Sequence, residues 1–184
     1  MNEREPILAE RLGMTVHVSV LRHRLCALQK RFPSPGCRCL EDWLVDVANG
    51  RGARIVVRPN RPNAPFTPPA ETELSNEELV VGLCQLQALD RPQMIRLAAE
   101  LITRGAARVS ALALVARRER VERVLAELAR QALRVDAAHP QWRQIAEAFG
   151  NQPRLRSAIL HWTRLAQPVM KDGRCNAASW KLVA

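Results

Sequence analysis

The pattern of apolar and polar positions is clearest between residues 109 and 133, where two stripes with helical spacing flank an arginine-rich stretch. The first stripe consists of Ala111, Leu114 and Val115, and the second of Val121, Val124, Leu125 and Leu128. Residues spaced three and four apart share one face of a helix. The pattern therefore predicts a helix-turn-helix in which the two stripes pack together and the other face of the second helix meets a DNA groove.

The second helix of this pair, predicted over residues 119–131, is rich in arginine away from its apolar stripe. The arginines on or near that side are Arg117, Arg118, Arg120, Arg123 and Arg130. A positively charged face of this kind suits a phosphate backbone and predicts DNA binding. Glutamates alternate with the arginines, however, and such alternation is also typical of salt bridges on a solvated surface, so that interpretation stays open.

A second basic helix is predicted over residues 16–31, and it too could belong to a helix-turn-helix. Its apolar stripe consists of Val18, Leu21, Leu25 and Leu28. Its polar side adds three candidate DNA-binding residues, which are Arg22, His23 and Lys30.

Prolines divide the chain. Five of them fall between residues 59 and 69, a density that prevents regular helix and predicts an extended linker. We therefore expect residues 1–58 to form an N-terminal helical unit with one strand near residues 53–57. Residues 59–73 are predicted to be a linker, and residues 74–184 to form a helical DNA-binding domain.

Local signals predict the elements of the second half. Ser75 and Glu78 form a capping box for a helix running to about residue 88, and Asp90 is the expected N-cap of a helix that closes at Gly105. Further helices are expected to begin near Pro140 and Pro153. A hairpin is predicted to turn at residues 172–173, either as a wing against DNA or as a cover for the core. The expected fold is mainly α, with helix-turn-helix units and a small β contribution.

Charge narrows the classes of partner. The chain of 184 residues has 28 lysines plus arginines against 18 acidic residues, a formal charge of +10, and only Lys30, Lys171 and Lys181 are lysine. Arginine dominance favours a polyanion such as double-stranded DNA, because the guanidinium fork suits phosphate and guanine edges. We expect no membrane span and no signal peptide, and hence a cytoplasmic protein.

Neither a metal site nor an enzyme is expected. The five cysteines are scattered, and Cys37 and Cys39 have no second pair at a zinc-binding interval. The four histidines do not complete a finger pattern, so reduced thiols and no cofactor are predicted. The sequence also contains no nucleophile elbow, phosphate-binding loop or metalloprotease motif.

Several segments resemble the flagellar master regulators of the FlhD and FlhC type. Two of them are similar to the Asn-Glu-Glu and Pro-Gln-Met-Val-Lys-Leu-Ala stretches of FlhD: Asn76-Glu77-Glu78 and Pro92-Gln93-Met94-Ile95-Arg96-Leu97-Ala98. Residues 98–106 and 118–128 are similar to the Glu-Leu-Ile-Thr-x-Gly-Ala and Ser-Arg-x-Arg-Leu-x-x-Leu-x-x-Glu-Leu runs of FlhC. Residues 25–36, with Trp43 soon after, faintly resemble the segment of FlhC that lies beyond the second run.

The resemblance implies a transcriptional activator that works with a partner subunit and recruits RNA polymerase, of a kind also carried by integrative and conjugative elements. It places Arg118, Arg120 and Arg123 on the DNA-proximal helix. FlhC has a C-terminal four-cysteine zinc site, whereas only Cys175 stands in the corresponding region here. Because one chain contains blocks of both subunits, the oligomer could be formed with a second copy or with another protein.

Two other classes remain as alternatives. An RNA-binding or replication and partition accessory protein of a mobile element would share the basic charge, although aromatic residues for base stacking are scarce. The second alternative is a helical protein-interaction module, whose positive charge would have no role in its function.

Overall fold

A computed structural model describes residues 19–53, 66–85, 91–155, 160–171 and 174–182, with the backbone alone at residues 164, 167–171 and 174–180. Seven helices lie in these ranges: α1 Val20–Arg31, α2 Leu40–Gly50, α3 Asn76–Leu83, α4 Pro92–Thr103, α5 Val109–Glu119, α6 Glu122–Ala132 and α7 Pro140–Phe149. A 3-10 turn at Trp162–Arg164 leads into strands β1 Ala166–Lys171 and β2 Arg174–Leu182. The predicted mainly α fold is confirmed.

Local sequence signals set several helix ends. Ser75 and Glu78 form the reciprocal capping box at the start of α3, and prolines occupy the first position of α4 and α7. Helix α4 ends in a Schellman motif, in which Ala106 N–H donates to Leu101 O at 3.0 Å and Gly105 adopts a positive φ of 69°. The N-cap of α4 is Arg91, while Asp90, predicted for that role, lies outside the described residues.

One hydrophobic core joins both halves of the chain. Trp43 of α2 and Trp142 of α7 are fully buried in the same cluster. Arg51, which follows α2, donates to Asn76 Oδ1 at 2.8 Å and Pro69 O at 3.1 Å and thereby ties the segment before α3 to α2. The described residues on either side of the predicted linker therefore share a core. Residues 54–65 and the strand predicted near 53–57 lie outside the described ranges, apart from Ala53.

The C-terminal strands pair as an antiparallel hairpin, as the sequence predicts. Ala166 lies opposite Leu182 and Lys171 opposite Arg174, with a register shift between Pro168 and Val169. Ala166 and Leu182 are buried at the open end of the hairpin. The predicted turn at residues 172–173 lies outside the described residues. None of the described helices has the length and apolar composition needed to cross a bilayer.

Candidate nucleic-acid interface

Acidic and basic groups are distributed unequally between the interior and the surface. Six buried glutamates form ion pairs with arginines that are more exposed than their partners: Glu41, Glu77, Glu78, Glu100, Glu119 and Glu127. The Arg108 side chain, for example, is 83% exposed beside a Glu77 side chain that is 8% exposed. The ion pairs therefore turn their carboxylates inward and their guanidinium groups toward solvent.

Two of these carboxyl groups are held in the ionised form. Burial alone would raise the pKa of Glu77, but hydrogen bonds from the backbone N–H of Arg108 and from its own backbone, together with the Arg108 charge, outweigh burial and lower it. The pKa of Glu41 is lowered in the same way, against burial, by backbone and Arg22 hydrogen bonds. Both glutamates therefore remain charged at neutral pH.

The connection between α5 and α6 contains an unusual backbone conformation. Helix α5 ends in a Schellman arrangement, with Val121 N–H donating to Ala116 O at 3.0 Å and Arg120 N–H to Arg117 O at 3.3 Å. Arg120 therefore occupies the left-handed position that usually belongs to glycine, at a φ of 56°. Among the described residues it is the one non-glycine residue with positive φ. This conformation costs about 1–2 kcal/mol for a residue with a Cβ.

Helix α6 does not present the free arginine face that the sequence predicts. Eight of its eleven residues are buried. Arg123 donates to Pro153 O at 3.2 Å and to Arg154 O at 2.7 Å. Arg130 binds Glu127 at 2.6 Å and also donates to Gln152 O. These two predicted DNA-binding residues thus use their guanidinium groups to hold the loop that follows α7.

The predicted packing of α5 is partly wrong. The sequence pattern predicts that Leu114 packs against α6, yet Leu114 is 68% exposed. The buried residues of α5 are instead Leu112, Ala113, Ala116 and Glu119. The reason is that α5 packs against α3 and α7 as well as α6, so three neighbours decide which face is covered. The predicted second stripe, Val121, Val124, Leu125 and Leu128, is buried as expected.

Exposed arginines gather where α5 ends. Arg117, Arg118 and Arg120 are all exposed, and the Arg117 guanidinium lies 5.6 Å from the centroid of the Phe149 ring. Exposed Arg154 belongs to the loop that Arg123 holds against the start of α6. We call Arg117, Arg118, Arg120 and Arg154 the arginine corner.

Glu119 joins this corner to the start of α1. Its side chain is 1% exposed and accepts hydrogen bonds from Ser19 Oγ at 2.5 Å and from Leu21 N–H at 3.1 Å. Arg118 Nε lies 3.4 Å from the same carboxylate. Nothing in the sequence pattern singles out this residue, because its partners at the start of α1 are about 100 positions away along the chain.

The predicted α1 residues do not all join the corner. Arg22 is paired with Glu41 at 2.9 Å. His23 and Lys30 are exposed, but Lys30 lies about 15 Å along α1 from the end that Glu119 binds, at 1.5 Å per residue. The structure therefore brings together Arg117, Arg118 and Arg120 and separates Lys30 and Arg130 from them.

No family model, no curated protein and no solved structure matches this chain. The resemblance to the flagellar master regulators therefore stays a prediction. Within the described ranges, no group of three or more histidine, cysteine or acidic residues could hold a metal ion.

Proposed function

We propose that the protein binds double-stranded DNA through the arginine corner and acts as a transcriptional regulator. The observation that supports this proposal is the separation of charge. Within the described part of the chain, no carboxylate forms an ion pair with Arg117, Arg120 or Arg154, whereas most glutamates that meet arginines are buried. An outward cluster of unneutralised guanidinium groups attracts a phosphate backbone.

Duplex DNA is favoured over single-stranded RNA because of the aromatic residues. Proteins that bind single strands stack bases on exposed aromatic rings. Among the described side chains every aromatic ring is buried or half-buried: Phe32, Trp43, Phe66, Trp142, Phe149 and Trp162. The family resemblance extends the proposal to a cytoplasmic activator that recruits RNA polymerase together with a partner subunit or a second copy.

The proposal is tested by measuring duplex affinity at several salt concentrations for the wild type and for Arg117→Ala/Arg120→Ala. Each phosphate contact contributes about 0.9 to the slope of log K against log salt. Loss of both contacts should reduce the slope by about 1.8 and weaken binding at low salt by at least about tenfold.

Arg134→Ala/Arg143→Ala is the matched control. Both residues are exposed, and they lie beyond the end of α6 and near the start of α7, away from the corner. This double variant removes two positive charges, as Arg117→Ala/Arg120→Ala does, and should keep most of the slope of log K against log salt. Equal losses of duplex affinity in the two double variants would show that net charge, and not the arginine corner, drives binding. Stronger binding to single-stranded RNA than to duplex would favour the RNA alternative.

A further inference from the structure

Helix α5, not α6, presents an uncovered face. Its exposed positions are Ser110, Leu114, Arg117 and Arg118, and the spacings of four, three and one place them on one side of the helix. Leu114 is 68% exposed at the centre of this face. A single exposed apolar side chain is common on protein surfaces, so the significance of Leu114 comes from the charged side chains that surround it on this face.

Two arginines flank Leu114 on this face. At about 100° per residue, the Arg117 position lies about 60° to one side of Leu114 around the helix axis and the Arg118 position about 40° to the other. Both side chains are exposed, and the Arg108 side chain at the N-cap is 83% exposed. The major groove of B-DNA is about 12 Å wide, so long side chains on the two flanks of a helix in the groove would reach the phosphates on its two sides.

We infer that α5 is the helix that enters the major groove, with Arg117 and Arg118 on the two phosphate backbones and Leu114 against base edges. The inference rests on the proposed duplex binding and names the element that reads the sequence. An apolar side chain in the groove can contact the thymine methyl group. Arginines on phosphates give affinity without sequence preference, so preference in this arrangement depends on Leu114 and its neighbours on the face.

A second copy of the chain is a poorer occupant of this face. In an isologous pair, antiparallel α5 helices would bring Arg108 of one protomer toward Arg117 and Arg118 of the other, and like charges repel. Glu77 and Glu119, which form ion pairs with Arg108 and Arg118, are buried and could not form an ion pair with a second protomer. Both ends of helix α5 therefore favour a polyanion.

The experiment uses a pool of duplexes with randomised sequence, from which bound DNA is recovered and sequenced. Leu114→Ala is compared with Val20→Ala, because Val20 is, among the described side chains, a second large apolar residue exposed to 68%. The wild type and Val20→Ala should enrich the same sequence, whereas Leu114→Ala should lose about tenfold of the preference at one or two thymine positions. Its salt slope should remain that of the wild type.

Arg117→Ala and Arg118→Ala should show the opposite behaviour, with a salt slope lower by about 0.9 each and an unchanged enriched sequence. Arg118→Ala leaves the Ser19 and Leu21 hydrogen bonds to Glu119 in place, so the local fold is preserved. Circular dichroism of each variant verifies that it is folded.

The possible failures are distinguishable. If the arginine-corner variants weaken duplex binding but Leu114→Ala enriches the same sequence as Val20→Ala, the inference is overturned while the proposed function stands. If Leu114→Ala changes the oligomeric state and leaves the DNA preference intact, the face is a protein contact and the inference again fails. If the wild type does not bind duplex at all, the proposed function fails and the inference fails with it.

Discussion

Because Arg120 occupies the left-handed position, we expect its replacement by glycine to stabilise the protein, although a proposed DNA-binding side chain is lost. A residue with a Cβ loses about 1–2 kcal/mol in this conformation, and glycine avoids that cost but loses about 0.5–1 kcal/mol more backbone entropy on folding. Arg120→Gly should therefore raise the free energy of unfolding by about 0.5–1 kcal/mol. Arg120→Ala keeps the strained conformation and should lie within about 0.5 kcal/mol of the wild type.

Urea and thermal unfolding followed by circular dichroism measure the difference. For a chain of this size the expected gain corresponds to a rise in Tm of about 1–4 °C. Gly105→Ala is the reverse control, since Gly105 occupies the equivalent position after α4 at a φ of 69°. An added Cβ there would also lie 3.1 Å from Gln141 Nε2, so this variant should lose about 1 kcal/mol or more.

An Arg120→Gly variant no more stable than Arg120→Ala would contradict the assignment of strain to this position. Both variants lose the same guanidinium group and should therefore lose the same DNA affinity. A stabilised protein with weakened duplex binding would show that the strained position is retained for its side chain, a trade-off known at functional sites.

Three further predictions concern the buried polar groups. Glu119→Ala removes the acceptor of the Ser19 and Leu21 hydrogen bonds and should lower the free energy of unfolding by about 2–3 kcal/mol in urea, whereas Glu119→Gln should cost less because its amide oxygen still accepts. Trp142→Phe removes the 3.0 Å hydrogen bond to Thr103 Oγ1 and should cost about 1–3 kcal/mol by the same measurement. If the double variant Thr103→Val/Trp142→Phe costs no more than Trp142→Phe alone, the two side chains are strongly coupled, whereas additive costs would contradict this role of the hydrogen bond. Burial raises the pKa of the Cys84 thiol from 9.0 to about 12. As the pH rises from 9.0 toward 12, the thiol ionises in the unfolded chain before it does in the folded protein. The free energy of unfolding should therefore fall by about 1.4 kcal/mol for each pH unit between these two values. Cys84→Ala should remove that alkaline slope, and an identical slope in both proteins would contradict the assignment.

Local chemistry explains which parts of the fold could be predicted. The capping box at Ser75, the prolines that begin α4 and α7, and Gly105 at the end of α4 act through neighbouring backbone groups. Their signals lie within a few residues of the element that they define, and the hairpin between β1 and β2 is predictable for the same reason. These features need no knowledge of the tertiary structure.

The buried face of α5 could not be predicted in that way. Its residues 109–116 are apolar on most sides apart from Ser110, so periodicity does not distinguish the face of Leu114 from the face of Leu112. The choice is made by α3 and α7, which the sequence pattern does not position. Likewise, Arg123 and Arg130 have the sequence pattern of exposed cations, and only the tertiary structure brings the loop at residues 152–154 to them.

The most direct test of the central claim is arginine footprinting with a dicarbonyl reagent, read by mass spectrometry with and without a duplex that the protein binds. The account predicts that duplex protects Arg117, Arg118 and Arg120 from modification and leaves Arg134 and Arg143 as reactive as in the free protein. Protection of Arg134 and Arg143 with none at the arginine corner would contradict it.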